Sequence, residues 1–572
     1  MSKLAETLAL VSFALLAPLI LLTLDAARAE DGAQARMISG SGGAAATEHR
    51  LASETAAEIL KRGGNAVDAA VAASLTGAVV NPASAGFGGG GFMVIYLAEE
   101  GRAHALDYRE SAPGAAYRDM YVRNGVLDSK ASKRGGLAVA VPGEPAGLEL
   151  ALERFGTMSM ADVAAPAIRL ASDGFTVEDH LAKGLRASKD ALAADPVLAA
   201  EFLHANGEPY VAGETLRRPG LAKSLSTFAE FGATPFYRGD IAAQIVEASR
   251  GSGGVLTKKD LMRYRVIQRS PVITKFRDMQ IVGMPPPSSG GGVIAEVLGI
   301  IERDQLRTLE HNSVTYLHLL AESFKAAFAD RALYYGDPEF TSINLDVLTA
   351  RARLTGIRRG LSPVTAAPAE KYGRIVVPDD SGTAHIAVID SNGNAVSCTT
   401  SINTSFGSKV GAAGFPLNNT MDDFSLRPGV ANVYGLVGSE ANSIAADKRP
   451  LSSMSPTIVL ADGKPRLALG ASGGPLIITA TLQTLLNALV FSMDVGEAVS
   501  SSRIHHQWLP DRLITEPSFP ELSATSLKRR GHEVVAYPFA AAVQAVELLE
   551  VDGTWRVRAA SDARKGGLAA AE

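Results

Sequence analysis

Apolar positions recur at helical spacing twice near the front of the chain, from Ala52 to Leu60 and from Ala66 to Leu75. The pattern halts at Asn81-Pro82, and a glycine run, Gly86 to Gly91, then precedes a strand-like stretch from Phe92 to Tyr96. Between residues 140 and 350, helical stretches alternate with Gly/Pro breaks. The loop Met284 to Gly292 opens onto a predicted helix, Val293 to Ile301, and a long amphipathic helix is predicted from His318 to Tyr334. From Gly360 to Asp380 the composition turns to Pro, Ala, Ser and Asp, which reads as an exposed linker. Beyond it the period changes. Thr383 to Asp390 and Ala395 to Ile402 read as strands around Ser391-Asn-Gly-Asn394, a strong hairpin signal. Shorter strands at Thr457–Leu460 and Arg466–Leu469 precede a helix from Ile477 to Val490. Strands and helices mixed in this way predict a layered α/β architecture.

The hairpin has a consequence for chemistry. A loop of two to four residues around Asn392-Gly393 makes partner positions sum to about 785 or 786, so Thr383 faces Ile402 or Asn403. A one-residue slip would exchange the two faces, and the pattern does not choose between registers. Either way Thr399-Thr-Ser-Ile-Asn403 gathers hydroxyls and an amide around Thr383. An internal threonine has no base of its own. If the chain is cut before it, the freed α-amine, with a reference pKa of about 7.7–8.0, becomes that base. Gly382 adds little bulk beside the bond to be attacked. The plainer reading is a polar strand end.

Composition narrows the rest. The chain has 572 residues, 47% hydrophobic, a formal net charge of -5 and no long basic run, which argues against nucleic acid as a partner. Lys3, the apolar run Leu8 to Leu24 and Ala27-Arg28-Ala29 form a signal-peptide pattern over residues 1–29, so export to a periplasm or secretion is expected. The run is short for a membrane anchor, and Pro18 interrupts it. Cys398 is the only cysteine, so no internal disulfide is possible, and it reads as a small buried hydrophobe. The ten histidines show no metal-binding spacing, and no metal or other cofactor is expected. Gly86–Gly91 matches G-x-G-x-x-G, but it precedes a strand instead of following one, so a close-packed backbone turn fits better than a dinucleotide site.

Several ordered motifs carry a family resemblance. The run Gly382-Thr-Ala-His385, with Gly393 to Ser397 and Ile402 to Lys409, resembles the small-subunit start of the γ-glutamyltransferases. Asn418–Ser425, Asn432-Val-Tyr-Gly-Leu436, Lys448–Thr457, Gly470-Ala-Ser-Gly-Gly474 and Ala560–Lys565 continue the likeness. In the front half, Asn81-Pro82 with the glycine run, Asp107–Pro113, Val141-Pro-Gly143, Phe155-Gly-Thr157, Met284–Gly290 and Ala329-Asp-Arg331 also fit. The resemblance implies an α+β fold, an αββα sandwich of the N-terminal-nucleophile hydrolase type, formed jointly by a large subunit (30–382) and a small one (383–572). It further implies self-cleavage between Gly382 and Thr383, then transfer of the γ-glutamyl group of glutathione through a Thr383 ester. Water, amino acids or dipeptides would accept the group. Ser401 stands where the family's second threonine hydrogen-bonds the nucleophile, and Gly473 and Gly474 match the oxyanion-hole glycines. Arg109, Ser452 and Ser453 match the α-carboxylate site, Asn403 and Asp423 the α-ammonium site, and Tyr434 the lid. Thr420 departs from the pattern, replacing the usual Glu or Gln at the α-ammonium.

Two rivals use the same residues differently. Gly470-Ala-Ser472-Gly-Gly474 satisfies G-x-S-x-G, with Asp511 and His532 following in the order of a serine-hydrolase triad. A cephalosporin (glutaryl) acylase would share Thr383 and self-cleavage but accept an acyl group without an α-amine. The retained Asp423 and the intact lid segment favour γ-glutamyl.

Overall fold

The computed structural model describes residues 35–302, 304, 306–371, 382–537 and 541–572; the predicted leader and the second half of the predicted linker, residues 372–381, lie outside them. Two seven-stranded antiparallel sheets organise the chain. In chain order their strands are β1 (Met37–Gly40), β2 (Ala44–Thr47), β3 (Gly90–Leu97), β4 (Arg102–Tyr108), β5 (Ile267–Arg269), β6 (Val272–Phe276), β7 (Met279–Gly283), β8 (Gly382–Ile389), β9 (Ala395–Asn403), β10 (Thr457–Ala461), β11 (Lys464–Ser472), β12 (Ala542–Val551), β13 (Thr554–Ser561) and β14 (Ala570–Ala571). One sheet runs β1-β13-β12-β11-β10-β7-β6 and the other β14-β2-β8-β9-β3-β4-β5.

The sheets face each other, with β8 and β9 packed against β11 and β8 also against β12. Six helices matter here: α1 (Arg50–Lys61), α2 (Ala66–Val80), α3 (Glu144–Phe155), α4 (Gly290–Ile301), α5 (Val314–Tyr334) and α6 (Leu476–Leu489). α1, α2 and α3 cover the outer face of the β8–β9 sheet, while α4 and α6 cover the other sheet, with α5 packed on α4. Alternation along β8 divides its side chains accordingly. Ile386 and Val388 join the core under α2, and Ala387 and Ile389 join the core between the sheets.

Each helix and strand predicted from periodicity is present, most of them extended by a few residues. α5 differs in character: its side chains from Tyr316 to Ala332 are buried almost continuously, so it is a core helix and not an amphipathic surface one. The hairpin also differs. From Ala384 to Ile389, β8 and β9 pair with sums of 784, one short of the expected register, because Asp390 and Asn394 close a tighter loop in which Asp390 Oδ1 accepts from Asn392 N and Asn394 N; only the end pair, Gly382 with Asn403, keeps the expected 785. Among the described residues, no helix is long and apolar enough to cross a membrane.

The glycine run is a close-packed turn. A Cβ on Gly88 would sit 2.0 Å from the Pro416 carbonyl oxygen, and one on Gly89 2.1 Å from that of Ser401. Between these glycines and α2, Phe87 fills a pocket edge-on to Phe228, Phe236 and Phe415. Phe87→Ala is expected to lower unfolding stability by roughly 3–5 kcal/mol, read as a shift in the denaturant midpoint.

Candidate active site

The ladder between β8 and β9 breaks where the chemistry was expected. Gly382 pairs with Asn403 and Ala384 with Thr400, so Ser401 and Ile402 on β9 oppose the single residue Thr383. Asn403 absorbs the bend in the left-handed region, at φ 79°, which asparagine tolerates better than most residues. The bulge takes Thr383 out of regular pairing and frees hydroxyls around it. Thr383 Oγ1 lies 3.3 Å from Ser401 Oγ. The Ser401 hydroxyl donates to the Gly382 carbonyl at 2.7 Å and accepts from Asn403 N at 2.9 Å.

Thr383 opens onto a cavity of about 30 Å³, room for one or two waters. Arg109, Ser401, Asn403, Asp423, Tyr434, Ser452, Ser453 and Gly474 line it with Thr383, so nearly every predicted site residue converges here. Arg109, just past β4, is buried and ion-paired to Asp423 and, at 3.2 Å, to Glu110. Its backbone N–H donates to Asp107 at 3.0 Å, and Asp107 is held by Arg449 and Arg269 at 2.5 and 2.7 Å. The Asp107 and Lys448-Arg449-Pro450 motifs therefore fix the arginine, whose Nε reaches the Pro450 carbonyl. Burial pushes the Asp423 carboxyl up to about 7, against the opposing pull of Arg109. Ser452 is braced by the Met284–Gly290 loop: its N–H donates to the Pro287 carbonyl, and its carbonyl accepts from the Ser289 hydroxyl.

Gly473 and Gly474 sit between β11 and α6 at φ 131° and 56°, a conformation other residues reach only with strain. Their position puts them at the positive end of the α6 dipole. Tyr434 closes the cavity, its hydroxyl bonded to the carbonyl and to Oδ1 of Asn403 at 2.8 and 2.6 Å. The acceptor expected to meet an α-ammonium is thus covered by the lid. Thr420 does not line the cavity. It lies buried behind it, donating to Glu110 at 2.8 Å.

The serine-hydrolase arrangement does not assemble. Ser472 is bonded to Lys565, His532 to His318, and Asp511 to His506, three separate partnerships. The histidines scattered along the sequence do cluster in one place, where ligand atoms of His318, Glu322 and His532 lie within 4.8 Å of one another. Their hydrogen bonds have a structural use. His318 Nε2 donates to the Ser362 carbonyl and accepts through Nδ1 from His532 at 2.7 Å, while Glu322 accepts from Ala367 N, pinning the segment that leads toward Gly382.

Three features were not foreseen. Arg331, quoted within a motif but given no role, lines the cavity. The apolar wall of Leu436, Leu451, Met454 and Ile477 was likewise quoted only within motifs or a predicted helix and given no role. Lys565 donates to the Thr383 carbonyl at 3.1 Å and to Ser472 at 2.7 Å, and pairs with buried Glu48 at 3.5 Å. Asp562, clamped by Arg503 and Arg564, sets the turn that delivers it.

With this geometry in view, the comparisons with known proteins are direct. Residues 52–572 match the gamma-glutamyltranspeptidase family model. The chain is 42% identical over 497 residues to the glutathione hydrolase proenzyme of Escherichia coli K12, covering 86% of each chain. Among solved structures, a Helicobacter pylori gamma-glutamyltranspeptidase chain is 36% identical, with a TM-score of 0.56 over 58% of this chain and 96% of that one. The cephalosporin acylase from Bacillus halodurans is 26% identical, with a TM-score of 0.82 over 94% of this chain and 97% of that one. Two facing antiparallel sheets, one of them bulged at Thr383 beside a polar cavity, define a fold shared with glutathione hydrolases, which are enzymes. The chain belongs to the gamma-glutamyltranspeptidase family.

Burial raises the Glu48 carboxyl above its usual range, with Lys565 opposing. Lys565→Met leaves that acid buried without a cation and should cost roughly 3–5 kcal/mol, measured as a lower calorimetric unfolding midpoint. Adding Glu48→Gln should recover part of the loss; an equal loss in the double variant would mean that the pair is not its source.

Proposed function

We propose that this chain is an exported, self-cleaving glutathione hydrolase and γ-glutamyltransferase whose nucleophile is Thr383. The observation that carries the reading is the Ser401 hydroxyl, set between the Gly382 carbonyl at 2.7 Å and Thr383 Oγ1 at 3.3 Å. Ser401 has one proton, which it gives to the Gly382 carbonyl, so Thr383 O–H is left to donate to Ser401. The attacked carbonyl is thereby polarised and the attacking oxygen aligned beside it. Thr383 Oγ1 adds to the Gly382 carbonyl carbon, the Gly382–Thr383 amide breaks and its nitrogen takes a proton. Water then hydrolyses the resulting ester, releasing Gly382 as a carboxylate and Thr383 as a new N-terminus. Residues 30–382 and 383–572 remain together as large and small subunits, and each contributes strands to both sheets of an αββα sandwich.

In the second reaction the free α-amine takes the Thr383 hydroxyl proton as the oxygen attacks the γ-glutamyl amide of glutathione. The backbone N–H groups of Gly473 and Gly474 stabilise the tetrahedral oxyanion. The amine returns the proton to the departing cysteinylglycine, and water or an amino acid or dipeptide amine resolves the Thr383 ester. Arg109, Ser452 and Ser453 bind the α-carboxylate, Asn403 and Asp423 the α-ammonium. Asn403 is available once Tyr434 swings away, which also gives the cavity the volume a glutamyl group needs. The two acceptors, Asn403 and Asp423, favour γ-glutamyl over glutaryl, which has no amine to bind. Faster turnover of glutaryl-7-aminocephalosporanic acid than of glutathione would reverse that choice.

Two measurements test the reading. Chain expressed from residue 30 should give a smaller band on a denaturing gel whose N-terminal sequence begins Thr-Ala-His-Ile, absent in Thr383→Ala. A single intact band after long incubation would rule out the free amine on which the mechanism depends. The second concerns pH. Asp423 takes up a proton as pH falls through about 7 and then no longer attracts an ammonium. KM for a γ-glutamyl donor should therefore rise below that pH, whereas Asp423→Asn should show a high KM with no such limb.

A further inference from the structure

Arg331 is buried on α5 with its guanidinium on the wall of the Thr383 cavity. Its Nε donates to Ser289 Oγ at 2.9 Å and its Nη2 to Ser453 Oγ at 3.1 Å. The neighbouring buried arginines sit on carboxylates: Arg109 on Glu110 and Asp423, Arg449 on Asp107. Arg331 does not, since no carboxylate oxygen among the described residues lies within 4.0 Å of it. A desolvated cation hydrogen-bonded only to hydroxyls is costly: burial pushes its pKa down to about 10, with only a partial opposing pull from Asp423, a carboxylate already paired with Arg109. Its charge is satisfied when an anion enters the cavity.

The bond to Ser453 specifies where that anion goes. A hydroxyl has one proton and two lone pairs. Because Ser453 Oγ accepts from Arg331, its own proton is free to be donated elsewhere, and the serine lines the cavity. Ser452 has the same polarity: its Oγ accepts from Met454 N at 3.1 Å, leaving its proton to donate. The two hydroxyls are thus arranged as donors, beside a cation with no carboxylate of its own in ion-pair contact among the described residues.

We propose that Arg331 is a specificity-determining residue of the donor site: it turns the Ser453 O–H toward the α-carboxylate of the γ-glutamyl group and supplies the positive charge that Arg109, already paired twice, cannot supply alone. The proposal rests on the γ-glutamyl reading above. Arg109 then orients the carboxylate while Arg331 balances its charge, so that a zwitterionic head group enters without leaving either sign uncompensated.

The test uses the full chain with Arg331→Gln and Arg331→Lys. Loss of a charge-assisted contact predicts a 10- to 100-fold fall in kcat/KM for L-γ-glutamyl-p-nitroanilide, mostly through KM, with Arg331→Lys recovering part of it. The competitive Ki of L-glutamate should weaken by the same factor, while that of 4-aminobutyrate, the same chain without the α-carboxylate, should stay within about twofold. Self-cleavage uses no α-carboxylate, so the fragment beginning at Thr383 should still form at the wild-type rate. Equal weakening of both inhibitors, or of neither, would overturn the assignment and leave Arg331 a packing residue. Failure of the unaltered enzyme to turn over the γ-glutamyl anilide would instead overturn the donor reading itself.

Discussion

The site depends on the slip in pairing between Gly382 and Ala384. A regular antiparallel ladder would commit the backbone of Thr383 to β9 and present its side chain in fixed alternation. With Ser401 and Ile402 opposing one residue, the strands splay, and a hydroxyl from β9 reaches the carbonyl just before Thr383. The need for glycine at 382 has the same origin. A Cβ there would lie 2.9 Å from the Thr404 carbonyl carbon and 3.0 Å from Ser405 N, so any larger residue would push the two strand ends apart. The bulge, the left-handed Asn403 and Gly382 are one local solution to bringing the Gly382 carbonyl, at the bond proposed for cleavage, and a hydroxyl together.

Around that solution the structure buries more charge than stability alone would favour. Asp423, Arg109 and Arg331 line one cavity with Glu110 paired behind Arg109, and Lys565, bonded to the Thr383 carbonyl, pairs with Glu48. Desolvating such groups costs several kcal/mol each and is offset only when geometry is well satisfied. Here the outer partners provide it: Asp107 with Arg449 and Arg269 behind Arg109, Asp562 with Arg503 and Arg564 behind Lys565. The acid that braces each of these cations lies two or three residues before it in the same motif, and the arginines that hold that acid come from elsewhere in the fold as well.

Much of the fold was legible because local patterns and tertiary burial agree. α2 is set by its apolar run and an Asn65–Asp68 capping box, and the same Asp68 accepts from Thr157 N and Met158 N, explaining the Phe155-Gly-Thr157 motif. The hairpin was legible as a hairpin, but its register was not, since side-chain bonds from Asp390 decide the loop and no apolar pattern reports them. The α5 helix misled for a related reason. Lys325, Asp330 and Arg331 look like a solvent face in sequence and are buried, each committed to a specific partner. Lys565 and the Asn403–Tyr434 contact join distant positions, which no local pattern reports.

The closed cavity also imposes an order on the proposed chemistry. In the uncleaved chain the Gly382 carbonyl occupies the acyl position next to Thr383 Oγ1, with Ser401 already bonded to it. A donor amide needs that same position, so no external acyl group can be attacked until the internal one has left. Cleavage removes the carbonyl and supplies the amine in one event, yet a space of about 30 Å³ remains too small for a glutamyl group while Tyr434 holds Asn403. Lid opening is therefore a separate requirement that recurs in every turnover, whereas cleavage happens once. The lid is restrained for such repeated use: Asn432 Oδ1 accepts from Tyr434 N and Leu436 N, and Asp422 accepts from Val433 N. A turn tied at its base in this way can release one tyrosine hydroxyl without unfolding. Because that hydroxyl holds an acceptor proposed for the α-ammonium, an arriving amine competes directly with the lid for Asn403, which couples donor recognition to opening.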